Sequence, residues 1–363
     1  MMIYLMILLT FLPTVLIMAI TPYITRRTES FGVSIPEEVY GTNELVELRK
    51  KYAIKTSVVG IILLAIILFA GQLFSENAWM TIFIIGIFLF IIGSFLIYYQ
   101  NHKTMKKMKV ASNWEQAKMV TTIIDTKFRN RKLIYSNGWF IIALFMTVVT
   151  IGLTVVYYDR IPDQIPMQYG INGEVTNWAT KTYGSVFSMS LIQMFMLGMF
   201  VFLNAMIGSS RQQVDASNPE KSIKQNVIFR RRWSLFFIVT GSVLVLLFSV
   251  IQLSFIFPMD VQFLIYVSLI ITGMIVIGAI ILSIITGQGG SRLKTTTGKE
   301  GQMINRDEDQ FWKLGIFYFN SADPAIWVEK RFGVGWTVNM AKPQAWIALL
   351  IILFIPILIA LLT

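Results

Sequence analysis

The chain reads as an all-α polytopic membrane protein of about eight transmembrane helices with a small cytoplasmic α+β module, and three observations predict this. Of its 363 residues, 55% are hydrophobic and only 14% charged, too few polar groups to clothe a water-facing exterior of this size. The apolar residues come in blocks of about 20, the length a helix needs to cross a bilayer, and backbone in lipid must be helical to satisfy its own polar groups. Lysine and arginine fall almost wholly in alternate loops between those blocks.

Spans are expected at 2–25, 57–74, 79–99, 139–158, 183–208, 233–257, 261–286 and 344–362. The first does not read as a cleaved signal peptide: no Lys or Arg precedes it, Arg26 and Arg27 follow it, and its apolar run is longer than a signal peptide's. An uncharged start with a basic flank behind it favours an outside N-terminus. Residues 26–56 hold six Lys and Arg, 100–138 nine, 209–232 six and 287–343 eight, which leaves only Arg160 and Lys181 for the other side. Having 29 of 31 basic residues on one side marks that side as cytoplasmic, with both termini outside, in a multi-pass protein of the bacterial cytoplasmic membrane. The net charge of +11 is a consequence of topology on this reading, and no nucleic-acid partner is expected. Trp79, Trp139, Tyr157, Tyr158, Trp233 and Trp346 lie near span ends, where interfacial aromatics belong.

The chain divides into a first membrane half (1–138, spans one to three with their cytoplasmic loops), a second membrane region (139–286), a cytoplasmic module (287–343) and a last span (344–363). Local echoes link the halves: Ile35-Pro36-Glu37-Glu38 with Asn218-Pro219-Glu220-Lys221, Arg49-Lys50-Lys51-Tyr52 with Arg230-Arg231-Arg232-Trp233, and Gln72-Leu73 with Gln252-Leu253. A four-plus-four parallel repeat explains them, and so does the general likeness of positive-inside hairpins.

Chemistry is sparse. Cysteine is absent, and the one histidine, His102, lies in a basic loop and reads as solvated. Metal, cofactor and thiol chemistry are not expected. No Ser/His pair or buried carboxylate pair presents itself, so an enzyme is not expected either. No ionisable residue lies well inside a span, which argues against a proton-coupled pump. The intramembrane polar candidates are Gln193, Asn204, Gln72 and Gln252, each an interhelical hydrogen bond or a substrate contact.

Outside, one loop of about 24 residues stands out between spans four and five. Pro162 and Pro166 fix an extended entry, and Asn172-Gly173 suits a two-residue hairpin turn, so the loop reads as a small ordered cap. Its candidate ligand-binding residues are Pro162, Asp163, Pro166, Gln168, Gly173, Glu174 and Trp178. Inside, Asn43 is expected to cap a helix that carries Leu45, Leu48 and Tyr52 on one face and runs into span two. In the module, Ile326–Arg331 and Trp336–Met340 alternate as the strands of a hairpin, Asp307–Lys313 reads as a short helix, and Met119–Thr126 as a strand able to join the same sheet.

The run Ile161-Pro162-x-x-Ile165-Pro166 with Gly170, Asn172-Gly173, Trp178 and Lys181 resembles the signature of a bacterial membrane family of unknown function. That family includes SdpI, the immunity protein for the sporulation-delaying toxin of Gram-positive bacteria; many of its members carry histidine where this chain has Gln168. The resemblance covers roughly 139–260. Asp309, Trp312, Gly315, Tyr318-x-Asn320, Asp323-Pro324, Val328, Lys330-Arg331, Gly333-x-Gly335-Trp336 and Asn339 resemble a small module of unknown function often attached to it. The resemblance implies a non-enzymatic protein giving immunity to, or sensing, an envelope-active peptide or envelope stress. Its partners would be membrane lipids, an antimicrobial peptide outside and a regulatory protein in the cytoplasm. A transporter or flippase of a lipid or peptide is the alternative, motivated by the span count and the suspected repeat.

Overall fold

The computed structural model describes residues 2–114, 132–170, 173–213, 219–293 and 309–362. Among the described residues, seven helices are long and apolar enough to cross a membrane. They are α1 (Met2–Ile24), α2 (Asn43–Leu73), α3 (Glu76–Ala111), α4 (Ile141–Val156, extended by a 3-10 turn at Asn137–Phe140), α5 (Tyr183–Ser209), α6 (Pro219–Ser254) and α7 (Val261–Thr286). The eighth expected span is α8 (Pro343–Leu362), a shorter apolar helix. The chain is a multi-pass, all-α membrane protein with a small strand-containing C-terminal module.

The helices pack in two groups. In the first, α1, α2 and α3 close around Ile7, Phe11, Val15, Leu64, Ile67, Phe83 and Phe90; in the second, α4, α5 and α6 close around Phe140, Ala143, Leu197, Phe200, Ile238 and Val245. The helix α7 packs on both α1 and α6 and so joins the groups, while α8 lies on α5. Lipid supplies no hydrophobic drive between helices, so close approach matters: Gly60 faces Val15, Gly86 faces Ile67, and Gly241 faces Phe200. Trp79, expected at a lipid interface, is buried instead. Its Nε1 donates to the Ile67 carbonyl at 2.7 Å, in the space that Gly71 leaves by having no side chain.

Three helices, α2, α3 and α6, far outrun the bilayer at 31, 36 and 36 residues. At 36 residues each, α3 and α6 span about 54 Å, and their excess length projects at the basic end. This overturns several expectations about the loops there. Asn43 is the first residue of α2 rather than its cap; Thr42 holds the cap position, with no side-chain bond. The face carrying Leu45 and Tyr52 is buried as expected. His102 is not a solvated loop residue but lies on α3, 3% exposed.

Among the described residues, four two-stranded antiparallel ribbons complete the fold. Strands β1 (Glu29–Ser30) and β2 (Val33–Ser34) follow α1; β3 (Gln164–Tyr169) and β4 (Val175–Thr180) lie between α4 and α5. In the module, β5 (Trp312–Lys313) pairs with β6 (Phe317–Tyr318), and β7 (Trp327–Glu329) with β8 (Trp336–Val338), which is the expected hairpin. Trp327 and Trp336 are half-buried against Phe202 and Phe229. The expected helix over Asp307–Lys313 is absent where described: Asp309–Phe311 forms a single 3-10 turn, and Trp312–Lys313 is drawn into the β5–β6 ribbon. The strand expected at Met119–Thr126 lies outside the described residues.

Candidate functional site

At one end of the bundle stands the β3–β4 hairpin. A 3-10 turn (Tyr158–Arg160) ends the α4 segment, and the chain then presses Ile161 and Ile165 into Val186, Phe255 and Ile256 of the α5 and α6 ends. Ile165 is fully buried. Lys181 clasps the hairpin base: its N–H donates to the Asp163 carbonyl at 2.8 Å, and its Nζ donates to the Ile161 carbonyl at 2.8 Å while lying over the Tyr158 ring. Thr182 and Ser185 then form a capping box that starts α5.

The register explains what the motif does. Pro166 faces Trp178 across the ribbon and Gln168 faces Asn177. Pro162, Asp163, Gln168, Glu174 and Trp178 are exposed, Trp178 by 54%, while Pro166 and Gly173 are half-buried. The turn differs from expectation. Gly170 N–H donates to the Glu174 carbonyl and Gly173 N–H to the Gly170 carbonyl, at 2.7 and 2.9 Å, with Gly173 at φ +83°. That is a three-residue loop closed by a left-handed glycine, not a two-residue turn on Asn172-Gly173; Ile171 and Asn172 lie outside the described residues. Asp163 and Glu174 sit at opposite ends of the ribbon, roughly 20 Å of strand apart, so they form a strip and not a single patch.

Beneath the hairpin a polar seam runs between α5 and α6. Gln252 Nε2 donates to the Val186 carbonyl at 2.6 Å, and its Oε1 accepts from Ser190 Oγ at 3.3 Å. Gln193 accepts from Ser249 Oγ at 3.4 Å, and its buried Nε2 has no acceptor. Asn204, further along α5, instead holds the start of the α4 segment through the Tyr135 carbonyl (3.0 Å) and Asn137 Oδ1 (2.7 Å). Gln72 is exposed near the end of α2 and joins none of these.

The opposite end is a junction built from charge. Glu329 on β7, fully buried, accepts from Arg26 after α1, from Asn226 Nδ2 on α6 at 2.7 Å, and from Arg230 Nη2 at 3.3 Å. Arg230 also donates to Asn226 Oδ1 and to the carbonyls of Ile207, Ser210 and Arg211. Asp309 accepts from Lys109 on α3 at 2.5 Å, from Arg331, and from the Ser34 N–H. Asp323 accepts from Arg211 Nη1 and from the Tyr318 hydroxyl, each at 2.7 Å. Gln288, after α7, reads the turn between β7 and β8 by accepting from Gly335 N–H and donating to the Gly335 and Lys330 carbonyls. The segments that follow α1, α3, α5 and α7, and the start of α6, are thus tied to the module.

Two strained turns meet in the middle of the junction. Phe31-Gly32 and Leu314-Gly315 all have positive φ, and a Cβ on Gly32 would collide with Gly315. Tyr98 and His102 of α3 hold both turns: the Tyr98 hydroxyl lies 2.9 Å from the Leu314 carbonyl, and His102 Nδ1–H donates to the Phe31 carbonyl at 2.8 Å. Packing of Phe31 among Tyr52, Tyr98 and Phe332 offsets its αL strain. Nearby Glu29 is buried, with Oε2 lacking any donor; burial pushes its pKa up to about 7 against the lowering pull of Arg331 and Arg26. Burial and the Asp323 hydrogen bond likewise push the Tyr318 phenol up to about 12.

With this geometry in view, two family models locate the ends of the molecule. Residues 145–194 match a domain of unknown function, DUF1648. Residues 322–346 match a second family of unknown function, DUF5808. The first match contains the hairpin with the adjoining parts of α4 and α5, and the second contains Asp323, Glu329 and the β7–β8 hairpin. No curated protein and no solved structure matches the chain. The module's signature polar residues are largely structural: Asn339 alone bonds Asn320 and Ala325, and Asn320 bonds Tyr318.

Sequence reasoning missed Glu29, Glu329 and Arg26 as site residues and treated Arg230 as a topology signal. One clue was present. Asn226, Arg230 and Ser234 are spaced by four and continue the buried stripe of α6 that later carries Ile238, Val245, Ser249 and Gln252.

Proposed function

We propose that the chain is a non-enzymatic protein of a bacterial cytoplasmic membrane that senses, or gives immunity to, an envelope-active peptide or envelope stress. The hairpin is its outer face and the C-terminal module its cytoplasmic readout. One observation carries this reading: the same two helices, α5 and α6, hold the hairpin's anchors at one end and Arg230, the partner of Glu329, at the other. A ligand that shifts the hairpin therefore acts directly on the helices that dock the module. The exposed strip from Asp163 past Trp178 to Glu174 suits an extended, cationic, amphipathic peptide, and the basic residues gathered at the far end favour the hairpin being outside.

The test is survival of cells expressing the chain under challenge with cationic membrane-active peptides. Asp163→Asn with Glu174→Gln should reduce protection several-fold at normal expression. Full protection by the double variant would remove the ligand's site. The transporter reading draws on one observation, the unanswered Gln193 amide in the polar seam. It requires Gln193→Leu to abolish export of the same peptides from cells, which the sensor reading does not.

A further inference from the structure

The helices that hold the C-terminal module also fix its level relative to the bilayer. About 20 helical residues cross the hydrocarbon core, so α3, which starts at Glu76, leaves it near Tyr98. Side chains lean towards a helix's N-terminus, which for Tyr98 is back towards the bilayer. The Tyr98 hydroxyl donates to the Leu314 carbonyl at 2.9 Å, so the turn between β5 and β6 sits at the membrane boundary. The stretch after β6 is held at a similar level: Lys342, the residue before α8, donates its Nζ to the Ser321 carbonyl at 3.0 Å.

Between those two points the ribbon has two unlike faces. Trp312 pairs with Tyr318, and both are buried against Val328. Lys313 pairs with Phe317 on the opposite face, and both are exposed. Phe319, two residues on, repeats that face; Phe317 is 42% and Phe319 51% exposed. At this level an uncovered side chain meets lipid headgroups and the ends of their acyl chains.

The turn supplies a second observation. The Ile316 N–H closes it onto the Lys313 carbonyl at 3.3 Å, and both central residues, Leu314 and Gly315, have positive φ. Such a turn favours Asn-Gly, because leucine is strained in the left-handed region. The facing turn, Phe31-Gly32, makes the same choice, but Phe31 is fully buried and its packing offsets the strain. Leu314 is 40% exposed, so the fold gives it much less in return. Contact with lipid offsets the strain of an exposed leucine placed here.

We propose that the β5–β6 ribbon is an interfacial anchor: Leu314, Phe317 and Phe319 insert among the lipids at the basic end of the bundle, with Lys313 at their phosphates. The module is thus seated by the bilayer as well as by its ion pairs. Aromatic rings are favoured at this boundary, and lysine can keep its stem beside Phe317 while its charge reaches the headgroups. Lys313 Nζ donates to the Gln310 carbonyl at 3.2 Å, which leaves further N–H groups for a phosphate. The anchor is independent of what the hairpin binds.

The chain has no cysteine, so single substitutions Leu314→Cys, Phe317→Cys and Phe319→Cys can each carry a spin label. The full chain is reconstituted in mixed phosphatidylglycerol and phosphatidylcholine vesicles. Ile92→Cys, exposed in the middle of α3, is the lipid reference, and Lys107→Cys, exposed beyond its crossing, the water reference. Relative to a water-soluble nickel complex, oxygen should reach labels on the ribbon several-fold more readily than the label at Lys107→Cys. Ratios equal to that of Lys107→Cys place the ribbon in water and overturn the proposal. Labels shielded from both reagents mean that protein covers this face, which overturns it equally. Leu314→Asn separates the anchor from the turn. Asparagine suits the positive φ better, so a purely local role predicts unchanged or slower proteolysis of 309–342 in vesicles. The anchor predicts cleavage a few-fold faster, and an unchanged or slower rate rules out insertion of Leu314.

Discussion

The hairpin at one end of the bundle is held by Ile161 and Ile165 pressed into Val186, Phe255 and Ile256, whereas the module at the other is held by Glu329, Asp309 and Asp323 facing Arg26, Arg230, Lys109, Arg331 and Arg211. The hairpin's carboxylates, Asp163 and Glu174, are exposed; the junction's are largely buried and ion-paired. Apolar seating is strong but indifferent to conditions. A buried ionic junction gains little net stability over apolar packing, yet it fails sharply when one partner is lost, and it responds to pH. The end that would meet a ligand is therefore rigidly mounted, and the end that would report is the adjustable one.

The largest expected effect breaks the junction. Glu329→Ala leaves Arg26 and Arg230 facing each other without an anion and should cost about 3–5 kcal/mol. Limited proteolysis within 309–342 and thermal unfolding in detergent read it. A loss below about 1 kcal/mol would mean that the pairs behave like surface salt bridges and that the contrast between the ends is false. Next comes the hairpin. Ile165→Ala removes a fully buried side chain and should cost about 2–4 kcal/mol, read as increased hydrogen exchange confined to residues 161–181.

These contrasts also mark what was legible in the sequence. The spans, the long basic-end extension of α2, the β7–β8 hairpin and the ordered loop at Pro162–Lys181 follow from hydropathy, alternation and turn chemistry, which are local signals. The junction does not. Glu29, Asp309 and Glu329 are separated by up to 300 residues, and a buried carboxylate looks in sequence like a solvated one. His102 shows the same limit: a charged neighbourhood suggested a loop, while α3 in fact continues through it because Lys103, Lys106 and Lys107 can face water from a helix.

A pH prediction sharpens the comparison. The pKa of Glu29 is raised from 4.5 to about 7 in the folded junction, chiefly by burial. The folded state thus binds this proton more tightly than the unfolded one. Its contribution is fully present below about 4.5 and is lost as pH rises through about 7. Thermal unfolding across that window should show the junction loosening by a few degrees in Tm, with exchange at the hairpin unchanged. Glu29→Gln mimics the protonated form and should remove the slope. A slope that persists in Glu29→Gln would assign the titration to another group.

The smallest effect concerns Lys181, a cation that takes part in seating the hairpin. Its Nζ bonds a carbonyl and lies over Tyr158 instead of meeting a carboxylate. Lys181→Met keeps the aliphatic stem on Tyr158 and removes one hydrogen bond and a cation–π contact, so it should cost only about 1 kcal/mol. The loss should be smaller than that of Ile165→Ala and local to the hairpin base, since the Lys181 backbone N–H still bonds Asp163. Hydrogen exchange at Ile161–Asp163 is the measurement. If Lys181→Met instead releases the whole hairpin, as Ile165→Ala should, then a charge also holds this end. The division between an apolar mount and an ionic latch would then have to be redrawn around Lys181.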